Sequence, residues 1–361
     1  MAESFADLLE GVDEACRPPE RAWSIHFKME QDFNPDALNT IARSITVIAL
    51  HLLKDGFDLS RLDGIIIAED YPKALRELDR GFQPSRALTH TQTSFGSGVA
   101  MAVPVIRDDK YMAHIVFDVR GVVMFIAESQ SEQAISRYLV AHEMGHVHDL
   151  AMQCTGMPSL MPTDPIEGEL EGYLISVARA CWDEYIACIV SAPYNPAEVE
   201  SRERVLVDCV AGLQKDINLT KIDFVKTGDV GTAWPSCAIL AGDALKFAAY
   251  LIGHLEGANQ KLEEHAPEAA SVIRGSFFER HFSALEEALR TMMQSYGKWG
   301  DFSSFQPVKD VALAFLRSLG VRPRPMADGS LWVDIDYPAD LTALDVLRLR
   351  MQGAWEANSR A

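Results

Sequence analysis

Residues 138–150 read YLVAHEMGHVHDL, with His142, Glu143 and His146 in the spacing HExxH. On an α-helix, positions i and i+4 share a face, so the two imidazoles converge on one point and Glu143 sits beside it. The helical reading comes from the neighbours. Ile135, Tyr138, Leu139, His142 and His146 fall on one face. Ser129 and Glu132 have the S-x-x-E spacing of a capping box that opens the helix. Two imidazoles turned toward a core are costly to desolvate unless something binds them. Zinc suits the pair, because it takes imidazole nitrogens in a tetrahedral set and keeps one position for water. A carboxylate beside such a water can take its proton, which is the part the spacing gives to Glu143.

Working outward, the chain reads as α+β and mostly helical. Residues 34–56 form a helix capped by Asn34, with Pro35 in its first turn and Gly56 at its end. GIIIAED (64–70) is a buried strand, followed by a short helix over 72–80 and a polar loop over 84–98. Strands are expected at 99–106, 112–118 and 122–127, with the hairpin turn at 116–121. They lead directly into the motif helix, where an exposed strand edge could hold an extended peptide. After the break CTGMPSLMPTDP, the set Asp164, Pro165 and Glu167 marks a second helix running to about Ser191. Helices are expected over 197–216, 236–257, 269–296 and 307–319. A hairpin around Asp328-Gly329 and a final helix over 341–356, capped by Asp340, close the chain. The expected architecture is a small mixed β-sheet packed on the HExxH helix, then a helical region, then a short C-terminal α/β appendage. The matching divisions are 1–155, 156–300 and 301–361.

Composition narrows the function classes. The net charge of −19 argues against a nucleic-acid partner and against an anionic membrane surface, since both need clustered Lys and Arg. No secretory leader is legible in MAESFADLLEGVDEACRPPE, and no uninterrupted apolar run reaches the ~18–20 residues of a membrane span. Six cysteines without a CxxC pair or regular framework suggest free thiols in a reducing compartment, hence a cytoplasmic protein. Cys16 reads as an ordinary thiol rather than an inhibitory zinc ligand.

Two histidines do not complete a zinc site. HExxHxxGxxH is absent, and His148 lies about 200° around the helix from His146, which removes it as a ligand. A carboxylate on the next helix is the remaining source: Glu167, Glu169, Glu171, Asp183 or Glu184. Glu167 is explained as the N3 acid of its own helix, Glu169 and Glu171 as first-turn acids, and Asp183 as a partner of Arg179. Glu184 stands out, because the stripe Leu170, Leu174, Val177, Cys181, Glu184, Cys188 is otherwise apolar. A metal held by His142 and His146 would satisfy it; an unidentified Arg or Lys is the competing partner.

HEMGH followed by WDEYIA resembles the gluzincin group of zinc metallopeptidases, in which a downstream E-x-x-A helix supplies the third ligand. The resemblance implies a strand-plus-active-helix unit with His142, His146 and Glu184 on zinc and Glu143 as general base. It covers roughly residues 60–190 in arrangement. Cys188 departs from the pattern, since an Asp that orients a ligand His commonly stands there. The expected function is zinc-dependent hydrolysis of a peptide or protein substrate. The competing readings are a non-catalytic zinc-containing regulatory or protein-binding module and a metal-free interaction protein. Tyr173, Tyr185, His148 and His254 are candidate oxyanion donors. Gly145 costs about 1 kcal/mol in a helix relative to Ala, which suggests close packing at that point, for example by the neighbouring strand.

Overall fold

The computed structural model describes residues 10–30, 33–84, 88, 92–93 and 96–360. Its main sheet has four strands: β1 (Ile25–Lys28), β2 (Leu62–Ala68), β5 (Ala100–Arg107) and β6 (Lys110–Asp118), in the order β1-β2-β6-β5. β1–β2 and β2–β6 are parallel, whereas β5–β6 is an antiparallel hairpin, so the sheet is mixed and β5 is one of its edges. β2 is buried along its whole length, the charged Asp63 included, and its GIIIA run is what a strand covered on both faces requires.

The first helix, α1 (Pro35–Lys54), starts as its sequence dictates: the Asn34 side chain accepts from the Asp36 amide, and Pro35 fills the first turn. α2 (Tyr71–Glu77) is capped in the same way by Asp70. Of the loop expected over 84–98, residues 85–87, 89–91 and 94–95 lie outside the described residues, as do residues 1–9 of the N-terminal segment. Gln92–Thr93 (β3) and Gly96–Ser97 (β4) form a two-residue antiparallel pair.

The β5–β6 turn corrects the expected register. It lies at Asp108 and Asp109, both with positive φ (49° and 59°), and not at 116–121. Asp tolerates that left-handed geometry where most side chains do not. The apolar run VVMFIA is no third strand. Asp118 caps a single helical turn, Val119–Val122, and a 3₁₀ turn, Val123–Ile126, follows. A short buried apolar run reads alike as strand or helix, and here the Asp118 cap decides.

The motif helix α3 (Gln130–Gly156) packs against β5, β6 and α1, and against α4 (Glu169–Ser191). Ser129 is its N-cap residue, but its hydroxyl pairs with Ser131 and the capping box with Glu132 is not formed. α4 starts later than expected. Gly168, with φ 84°, is its N-cap, while the Asp164 carboxylate accepts from the Met161 amide inside the preceding turn. Glu167 is therefore outside the helix and is not its N3 acid.

α5 (Val199–Thr227) and α6 (Val230–Gly257) form a long antiparallel pair beyond α4. One helix among the described residues, α6, is long and apolar enough to cross a membrane, and 61% of its apolar window is buried inside the protein. The helix expected over 269–296 is two, α7 (Pro267–Ile273) and α8 (Glu279–Met293), parted at Gly275 with φ 71°. α9 (Gln306–Ser318) is capped by Leu319 and followed by Gly320 with φ 72°, and β7 (Val321–Pro325) and β8 (Leu331–Ile335) make the hairpin expected at Asp328-Gly329. α10 (Ala343–Arg360) closes the chain. Thr342 and Asp345 cap it reciprocally, in place of Asp340. The molecule is thus mostly helical α+β; a large apolar core runs from Val12 to Val321 through sheet and helices, and a smaller one gathers Ile66, Tyr71, Leu75, Val103 and Val116.

Candidate metal centre and cleft

α3 and α4 touch backbone to backbone at the motif. A Cβ on Gly145 would lie 2.8 Å from Cα of Ala187. The close neighbour of Gly145 is thus α4, not a strand. That approach brings Glu184 onto the two histidines. Its Oε2 is 3.1 Å from Nε2 of His142 and 3.7 Å from Nε2 of His146. Among the described residues, His142, His146 and Glu184 are the group whose donor atoms could share a metal ion, all within 4.8 Å of one another. The other carboxylates considered go elsewhere. Glu169 accepts from the Trp234 indole, Glu171 pairs with Lys309, and Glu167 is exposed.

Electrostatics mark the same point. Burial works to raise the Glu184 pKa, yet the hydrogen bond from His142, the charges of His146 and His142, and a hydrogen bond from Tyr250 hold it down to about 2. Glu143 is 5% exposed, and burial raises its pKa against the pull of His146 and His142. Its carboxylate takes a hydrogen bond from the Ala102 amide of β5, while its Oε2 has no hydrogen-bond partner. An orphaned acceptor in a buried site carries a desolvation cost, so this one is available to a proton or a ligand.

Cys188 stands where an orienting acid was expected, and its Sγ lies 4.0 Å from Nδ1 of His142. Burial pushes its thiol up to about 12, so it faces the imidazole as a neutral group. The imidazole is further held by rings. Tyr250 stacks on it at 6.0 Å and Tyr138 at 5.9 Å, and the Arg202 guanidinium lies over both tyrosines at 4.9 and 5.3 Å.

His142, Glu143, His146 and Glu184 line one cleft of about 900 Å³, walled by β5 from Ala100 to Ala102, by α3, by α4, and by Arg202, Lys246 and Tyr250 of α5 and α6. One turn beyond His146, a polar network closes it. Asp149 accepts from Trp182, Tyr296 and Gln153, and Gln153 also reaches Asp183. Burial, then the charge of Asp183, pushes Asp149 up to about 8. Asp183 thus serves this network and the charge of Arg179 rather than the histidines.

The four candidate oxyanion donors are all engaged away from the cleft. Tyr173 donates to the Ala238 carbonyl and Tyr185 to Glu256. His148 accepts from the Asp58 amide, and the His254 Nε2 contacts the Pro196 carbonyl. Tyr250 and Arg202 line the cleft instead. Their only sequence signal is a phenol within the apolar run ALKFAAYLIGHL and an arginine on a charged helix. No family model matches this chain, and no curated protein or solved structure does.

Proposed function

We propose that the chain is a zinc-dependent peptidase. One observation carries the reading: two imidazole nitrogens and a carboxylate oxygen converge beside a buried carboxylate that has an unpartnered oxygen. The donor set fits zinc. A tetrahedral ion with ligands at about 2.0–2.1 Å spaces its donor atoms about 3.3 Å apart, close to the 3.1 and 3.7 Å separations of Glu184 from the histidines. His142, His146 and Glu184 would hold the ion. When bound, zinc supplies a Lewis acid that polarises a carbonyl and makes water more acidic.

The chain's own groups supply the rest. The edge strand β5 offers backbone to an extended peptide at Ala100 and at the Ala102 carbonyl, both residues lining the cleft. Glu143, held on one side by the Ala102 amide, accepts the proton of the attacking water on its free side and passes it to the departing amine. Burial strengthens it as a base. Cys188 and the stacked Tyr138 and Tyr250 keep the His142 ring in register. Six free cysteines, five of them buried, support a reducing, cytoplasmic setting.

Metal analysis of the purified protein should give one zinc per chain. Glu143→Gln should retain it while cleavage of a broad peptide library falls by about 10²–10⁴. Wild-type protein with stoichiometric zinc and no cleavage of that library would overturn the peptidase reading, and protein without metal would overturn the site.

A further inference from the structure

A second cavity, of about 440 Å³, opens at the other end of the β5–β6 hairpin. Arg21, Arg61, Arg107 and Lys110 line it, with Ser60, and the acid in its wall is Asp108, whose side chain is 86% exposed. In a chain of net charge −19, four cations on one small cavity are not background.

The guanidiniums are held in place from behind. Asp63, 7% exposed and outside the cavity wall, lies 3.3 Å from Arg21 and 3.2 Å from Arg107, and its Oδ2 also bonds to His114. Arg107 is tied further by the carbonyls of Ile106 and Asp79, and Arg61 by the carbonyl of Tyr111. Asp63 therefore anchors two arginines without neutralising the set. Four cations against Asp63 and Asp108 leave two positive charges. Arg61 and Lys110 have no acidic partner among the described residues. Arg107 and Lys110 are moreover direct cross-strand partners. Like charges placed opposite each other repel, and of this pair Asp63 offsets Arg107 alone, so an anion would relieve what is left at Lys110.

We infer that this cavity is an anion site that takes the phosphate group of a small molecule. Fixed guanidinium forks match phosphate oxygens in geometry, and the two surplus charges match a phosphate dianion. The site is separate from the HExxH cleft and does not depend on its being a peptidase. The volume exceeds that of the bare ion, so both inorganic phosphate and a phosphomonoester are admissible sources of the group.

Calorimetric titration with inorganic phosphate at constant ionic strength tests it. One phosphate per chain is expected, with Kd about 1 mM or tighter. Lys110→Glu, an exposed change that leaves Arg107 with an opposite charge, should weaken binding about tenfold or more. Glu184→Ala should leave it unchanged, which separates this site from phosphate bound at a metal. Titration with glycerol 3-phosphate distinguishes the sources: tighter binding than inorganic phosphate supports an ester, and equal binding supports the free ion. Absence of saturable binding, equal affinity in Lys110→Glu, or loss of binding in Glu184→Ala alone overturns the inference.

Discussion

Gly145 of α3 and Ala187 of α4 meet so closely that a Cβ on the glycine would stand 2.8 Å from the alanine Cα, backbone against backbone. The contact lies between His142 and His146 on one helix and one turn past Glu184 on the other, so it sets how far the histidines stand from the carboxylate. Replacement by alanine would add helix propensity worth about 1 kcal/mol. The clash is with backbone, which cannot rotate away. Gly145→Ala is therefore expected to lower stability by about 1–3 kcal/mol net, and to weaken zinc binding as well. Denaturant melts and chelator competition check both; a variant as stable as wild type with unchanged zinc affinity would contradict the account.

Glu184→Ala should cost more than about 100-fold in zinc affinity, because it removes one of three protein donors. Glu167→Ala is the control. Glu167 is exposed and precedes α4, so its loss should alter stability by no more than about 0.5 kcal/mol and zinc affinity not at all. Equal zinc affinity in Glu184→Ala and wild type would remove Glu184 from the centre.

Tyr250 hydrogen-bonds Glu184 and stacks on His142. Tyr250→Phe keeps the ring and deletes the donor. Zinc affinity is expected to fall about tenfold, as for other groups that orient a ligand. Competition against a chromophoric chelator reads it directly, and an unchanged constant would reduce Tyr250 to a packing role.

His148 and His254 are buried, and desolvation lowers each to about 4, overcoming the opposing pull of Asp58 on the first and of the Pro196 carbonyl on the second. Both are neutral in the fold and become protonated on unfolding once the pH is below the ordinary histidine value near 6.5. The unfolded state then binds more protons, so stability is fully present above about pH 6.5 and declines as pH falls toward 4, by up to about 3 kcal/mol per residue. Thermal melts of chelator-treated protein across this window should show the decline. His254→Gln should flatten part of it, and a slope identical to wild type would show that His254 does not titrate on unfolding.

Local chemistry was legible wherever it depended on residues a turn or two apart. The HExxH face, the Asn34 cap and the Asp328-Gly329 hairpin each follow from helical or turn periodicity. So does the anomaly of Glu184, a charge on an otherwise apolar stripe. Caps were less secure, because several side chains competed for one helix end: Gly168 displaced Asp164, and Thr342 displaced Asp340. The run VVMFIA carried no period long enough to tell strand from helix.

What the sequence determined by itself was therefore the composition of the candidate centre: two imidazoles, a carboxylate beside them, and a second carboxylate in need of a partner. Only the tertiary structure decided that the two histidines stand beside Glu184, that β5 is the sheet edge next to them, and that Tyr250, Arg202 and Cys188 surround His142. The reason is physical. A helix face is set by neighbours three and four residues away, whereas the meeting of residues 42 and more apart depends on which apolar faces pack together, and here on one glycine that lets two helices touch.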